Sequence, residues 1–171
     1  MGVFFCGVGM LFILSIAALC LALCACVTDL RGLKIPNMIP ATIMGLFCVY
    51  AVYIAFYGDV TALYSHLAAG LGMFIVTFIF FAVKMFGAGD AKLATALAFL
   101  IGTKGIVAFI FFMTLTGGVL AIFAMLLMKK GVPVSWQKGW LKHLAEGRAD
   151  IPYAVAIFIG TVAGMTHGVT A

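Results

Sequence analysis

The sequence predicts an all-α, polytopic membrane helix bundle with six transmembrane helices. Two observations and one physical constraint carry that expectation. Apolar residues make up 66% of the 171 residues and charged residues 9%, far from the balance of a soluble domain. The apolar residues fall into several runs on the scale of the roughly 20 residues a helix needs to cross a bilayer. Helices satisfy their own backbone in hydrocarbon, whereas open sheets do not. The length suits a single domain, 1–171. The net charge of +5 is dispersed among the apolar runs. It therefore points to the lipid bilayer as partner and away from nucleic acid.

The first run covers 2–27. It lacks a basic leading region, is long for a signal-peptide core and continues to Asp29 without a cleavage site, so it reads as a retained first span. The second span is 38–57. Pro36, just before it, fixes the chain at the helix entry, and Asn37 can cap the helix or donate to a nearby carboxylate. The link Gly58-Asp59-Val60-Thr61 leads to the third span, 62–83, and makes Asp59 a solvated loop acid. The fourth span, 91–101, is short. The link Gly102-Thr103-Lys104-Gly105 separates it from the fifth, 106–128. Residues 129–150 form one polar loop, and 151–168 form the sixth span. In that loop Trp136, Trp140, Leu141 and Leu144 share one helical face. They suit a short helix in the headgroup layer or a plain loop anchored by two aromatics. Gly160, Gly164 and Gly168 give small-xxx-small steps in the last span. They read as internal packing, with a homo-oligomer left open.

Six spans place Arg31, Lys34, Lys84, Lys92, Lys129, Lys130, Lys138, Lys142 and Arg148 on one side and Lys104 alone on the other. The positive-inside rule puts the nine in the cytoplasm and both termini outside. Cys6, Cys20, Cys24, Cys26 and Cys48 all lie in apolar runs and read as small hydrophobes. His66, His143 and His167 are far apart in sequence and read as interfacial or surface residues. There is no phosphate loop and no metal-ligand cluster, so no metal and no cofactor are expected.

Acids are few: Asp29, Asp59, Asp90, Glu146 and Asp150. Asp29 follows the first span and Asp90 opens the fourth, both on the cytoplasmic side. A carboxylate at a membrane boundary is costly unless it is solvated, paired or used. Asp29 has a bland reading as a solvated acid neutralised by Arg31 or Lys34. Asp90 has one as an N-cap, its charge offset by Lys92. Before it, Gly87 and Gly89 allow a tight turn and leave room for a substrate backbone. Together the two acids suit aspartic acid–base chemistry. One carboxylate takes a proton from water, one carboxylic acid polarises the scissile carbonyl, and the close pair shares a proton.

Gly87-Ala88-Gly89-Asp90 resembles the Gly-x-Gly-Asp motif of intramembrane aspartyl proteases. Asp90-Ala91-Lys92-Leu93 extends it as in type IV prepilin peptidases, and Asp29 with Ile35-Pro36-Asn37 is similar to that family's first catalytic aspartate and its downstream signature. Ile151-Pro152-Tyr153 resembles the family's late proline-containing segment. The resemblance implies catalytic Asp29 and Asp90, supported by Gly87, Gly89, Lys92, Pro36, Asn37 and Pro152. Only about ten residues separate Asp29 from the second span, and no Cys-x-x-Cys pair exists. The chain thus resembles the small, protease-only branch serving tight-adherence (Flp-type) pili, with N-methyltransferase activity not expected. The related archaeal preflagellin peptidases stay open.

The expected function is removal of a short basic leader from prepilins or pseudopilins at the cytoplasmic boundary of the inner membrane. Two other classes fit less well. A proton-coupled transporter or channel subunit would place its acids near the bilayer midplane on broken helices, not at span ends. A non-catalytic pilus-assembly scaffold would tolerate Asp-to-Asn changes at both positions.

Overall fold

The computed structural model describes residues 2–57, 60–131, 133, 137–147 and 151–170, with side chains from Gly9 onward except at Lys130 and 169–170. Asp59, Ser135, Trp136, Arg148 and Asp150 lie outside the described residues, as does the side chain of Cys6. The expectations resting on them lie there too.

Every regular element among the described residues is a helix: α1 (Gly2–Gly32), α2 (Met38–Tyr57), α3 (Val60–Ala82), α4 (Ala88–Lys130), α5 (Trp140–Ala145) and α6 (Tyr153–Thr170). Helices α1 to α4 are each long and apolar enough to cross a membrane, and α6 is a shorter apolar helix. Their outward faces are as apolar as their inward ones. Phe56 is 77% exposed and Val107 74%, an arrangement stable only where lipid is the solvent. The chain is a membrane helix bundle.

Helix α2 occupies the residues expected of the second span, but α1 runs five residues beyond the expected end at 27. Its last turn therefore includes Asp29. The helix stops because Leu33 takes a left-handed conformation (φ 51°) and donates its N–H to Asp29 O at 2.8 Å. That is a one-bond C-terminal cap. Helix α3 ends in a two-bond version. Lys84 is left-handed (φ 59°) and donates to Phe81 O, while Met85 donates to Phe80 O. Both left-handed positions are filled by non-glycine residues, which no sequence rule for helix ends anticipates.

The expected fourth and fifth spans form one element with a break at Gly102 (φ 73°, ψ 177°), a conformation nearly exclusive to glycine. The break is a reversal. A straight helix would put Gly117 on the order of 40 Å from Ala88. Instead, a Cβ on Gly117 would sit 3.5 Å from the Tyr153 ring. That ring lies 5.4 Å from the Phe86 ring, just ahead of α4. At the other end, Gly168 lies beside Ile101 and Gly105. The first arm of α4 (88–101) therefore runs away from the Asp90 end of the bundle, and the second arm (103–130) returns along α6. Of the expected link 102–105, only Gly102 leaves the helical conformation.

Polar groups close this reversal. His66 Nδ1 is 2.8 Å from Phe99 O, a carbonyl freed by the break, and Ser65 Oγ accepts Thr103 N–H at 3.1 Å. His66 is 7% exposed, so the surface reading of this histidine is corrected. Its partner is a backbone carbonyl, which composition does not reveal. The glycine stripe of α6 packs inside the chain. A Cβ on Gly160 would lie 2.6 Å from Phe109 O, and one on Gly164 2.9 Å from Phe109 Cβ. Small residues let the two backbones approach.

Candidate active site

The site forms at one end of the bundle, where the end of α1, the start of α2, the start of α4 and the start of α6 meet. Asp29 arrives on the last turn of α1 and is 5% exposed. A carboxylate at the C-terminal, partially negative end of its own helix is poorly placed. The compensation comes from α6. Asp29 Oδ2 accepts Ala154 N–H at 3.1 Å, and one turn earlier the Cys26 thiol donates to Ala154 O at 3.0 Å. Ala154 is the second residue of α6, so its N–H has no acceptor within the helix. Pro152, fully buried, fixes where that helix begins. Among the described residues Asp29 forms no ion pair with Arg31 or Lys34. The solvated-acid reading is thereby corrected: Asp29 is a buried acceptor held by another helix.

Asp90 is not the N-cap. Gly87 is, and Asp90 sits three residues in. From there its carboxylate folds back over Gly87, in the manner of one half of a capping box. Gly87 permits this closely: a Cβ there would lie 2.6 Å from Asp90 Oδ2. The other oxygen, Oδ1, is buried and has no hydrogen-bond partner. The two acids, 61 positions apart in sequence (90 − 29), are carried to the same end of the bundle: Asp29 is held by Ala154, and Tyr153 beside it meets Phe86, just ahead of the Gly87 turn.

Two further contacts join the segments around them. A Cβ on Gly89 would lie 3.2 Å from Ile35 Cβ, and Lys92 Nζ donates to Asn37 Oδ1 at 3.1 Å. Lys92 therefore pairs with Asn37 rather than offsetting Asp90, and the Asn37 side chain serves α4 rather than capping α2. Pro36 is exposed, and its carbonyl accepts Ile39 N–H at 3.0 Å. All eight residues singled out from the sequence thus lie at this one end. Sequence reasoning missed Ala154 and Cys26. Ala154 contributes a backbone N–H, which has no residue-type signature, and Cys26 looked like one more small hydrophobe.

The site thus brings a buried carboxylate, Asp29, and a half-buried one, Asp90, to one end of the bundle, the two kinds of group that acid–base work requires. One comparison places this geometry. The family model for type IV leader peptidases matches residues 4–122, more than half of the chain and both aspartate segments. The chain belongs to the type IV leader peptidase family. It is accordingly a membrane peptidase. Comparison with curated proteins and with solved structures found no match. The matched stretch ends within the second arm of α4, so α6, which holds Asp29 in this leader peptidase, lies beyond it.

A cavity of about 790 Å³ lies between α2, α3 and the first arm of α4. Asn37 and Lys92 stand at its head, Thr77 and Thr95 in its wall, and Phe74, Phe78 and Phe81 along α3. Its α4 wall is Ala88, Ala91, Lys92, Thr95 and Ala96, centred on the helical face opposite Asp90, Leu93 and Leu97. The cavity therefore adjoins the motif segments without containing either acid. Helix α5 covers the other side. Gly139 (φ 56°) fits so closely over Leu30 O and Arg31 that any side chain there would collide, and Leu144 is buried. The helical reading of this loop segment agrees with α5.

Proposed function

We propose that the chain is an aspartyl endopeptidase that removes the short basic leader of type IV, Flp-like prepilins at the cytoplasmic membrane boundary. The observation that carries this reading is the meeting of the two aspartate segments. Gly89 packs on Ile35 and Lys92 bonds to Asn37. One carboxylate takes a proton from water as the water oxygen bonds to the scissile carbonyl carbon. The other, protonated, hydrogen-bonds the carbonyl oxygen. Collapse breaks the C–N bond, and the amine leaves with a proton. General acid–base catalysis of this kind is worth roughly 10²–10⁴-fold per group. The boundary suits the task, since the acids need water and the substrate's apolar helix needs lipid.

Co-expression with candidate prepilins, scored by mass, tests the reading. Loss of the leader at a single bond just before the apolar helix is expected. Intact prepilins throughout would overturn it.

In the proposed topology α1, α2, α3, both arms of α4 and α6 make six crossings of the inner membrane. The nine basic residues lie inside and Lys104 outside. A cysteine-accessibility probe at residue 140 is expected to report cytoplasm and one at residue 171 the exterior. A cytoplasmic residue 171 would remove the six-crossing arrangement.

A further inference from the structure

We propose that the entry to α6, residues 152–154, is the positioning element that sets the two acids against each other. It touches both halves of the site. On one side Ala154 N–H holds Asp29 Oδ2 at 3.1 Å, and the Cys26 thiol secures the same residue through Ala154 O at 3.0 Å. On the other side the Tyr153 ring lies 5.4 Å from the ring of Phe86. Phe86 immediately precedes Gly87, the residue over which the Asp90 carboxylate folds back. Asp29 and Asp90 ride on different helices, and α1 and α4 touch each other sparingly. Their mutual placement therefore draws on bodies that grip both: the segment before α2, through Ile35 and Asn37, and the start of α6.

The turn is itself firmly seated. Pro152 and Ala154 are fully buried, and Gly117, on the returning arm of α4, faces the Tyr153 ring, which a Cβ there would meet at 3.5 Å. Proline at the helix entry fixes the backbone of the turn. The second residue of the helix then presents an N–H that no helical carbonyl can take. The partial positive charge of the helix start adds to it. The geometry makes Ala154 a positioning residue that acts through Asp29, with Tyr153 doing the same through Phe86 and the Gly87 turn.

The inference rests on the proposed peptidase activity, so wild-type cleavage of a prepilin is measured alongside. Ala154→Pro removes the one N–H at issue. The position lies in the first helical turn, where no intrahelical bond is lost. Its kcat is expected to fall about 10- to 100-fold, the value of a hydrogen bond to a charged group, with KM changed less than about threefold. Ala154→Gly keeps the N–H and is expected to retain kcat within about threefold of wild type, since it loses only a methyl group. Tyr153→Leu is expected to lower kcat about tenfold, while Tyr153→Phe, which keeps the ring, restores it.

Wild-type kcat in Ala154→Pro would overturn the proposal, as would an equal loss in Ala154→Gly, which would assign the effect to packing. Should Ala154→Pro fail to accumulate in the membrane, Tyr153→Leu decides, and wild-type kcat there overturns it. Absence of cleavage by the wild-type protein would instead remove the underlying reading.

Discussion

Asp29→Asn and Asp90→Asn are each expected to lower cleavage of a prepilin at least about a thousandfold, within the range for loss of a positioned acid or base. Each variant is expected still to accumulate in the membrane. The amide keeps the size of the carboxylate and, at Asp29, can keep an oxygen acceptor for Ala154 N–H. What it loses is proton exchange. The losses are expected not to add: in the proposed dyad the two groups act as one unit, so the double variant should fall no further than either single one. Glu146→Gln is the control. Glu146 sits just past α5, exposed, 3.9 Å from Lys142, and a surface pair of that kind contributes about 0–1 kcal/mol at most. The measurement is the mass of the substrate after fixed times, per mole of inserted enzyme. Processing by either Asp variant within tenfold of wild type would remove the dyad.

Gly87→Val is expected to lower turnover per inserted molecule about a hundredfold, the scale on which a misplacement of about 1 Å acts. Gly89→Val is expected to lower it about tenfold. That order runs against chain proximity, since Gly89 is the immediate neighbour of Asp90. A helix folds its third residue back over its cap. The Cβ of a residue at 87 would therefore meet Asp90 Oδ2 at 2.6 Å, whereas one at 89 would meet Ile35 Cβ at 3.2 Å. The first collision displaces the carboxylate itself, and the second displaces the segment before α2. Gly118→Val has nothing within 4 Å and points outward, so turnover and accumulation stay within about twofold, as for other surface changes. Sequence position alone would make Gly118 a packing glycine of the fifth span. The packed one is its neighbour Gly117, against Tyr153. Normal turnover in Gly87→Val would mean that the Asp90 carboxylate does not need its place over the turn.

Much of the site was legible because its parts are short and local. Gly87-Ala88-Gly89-Asp90 and Ile35-Pro36-Asn37 can be read off as turns next to apolar runs, and the excess of basic residues on one side assigns them a common face. The partners of those residues were not legible. Lys92 was one candidate for neutralising Asp90 and Asn37 one for capping α2, yet the two side chains bond to each other across 55 positions. His66 looked interfacial and is buried on the carbonyl of Phe99. In each case the deciding partner belongs to another helix, and local pattern carries no information about which helix that is.

By itself the sequence determined the solvent, the helical class, the approximate helices and the two acids. These follow from composition and from residues adjacent in the chain, where hydrophobic run length and turn chemistry act directly. Only the tertiary structure decided that Gly102 reverses α4, that Asp29 lies inside α1 rather than after it, and that α6 supplies its hydrogen bond. The physical reason is the same for all three. Backbone N–H and C=O groups are identical in every residue, so which of them is left unpaired at a helix end, and which side chain arrives to satisfy it, is set by how the helices pack.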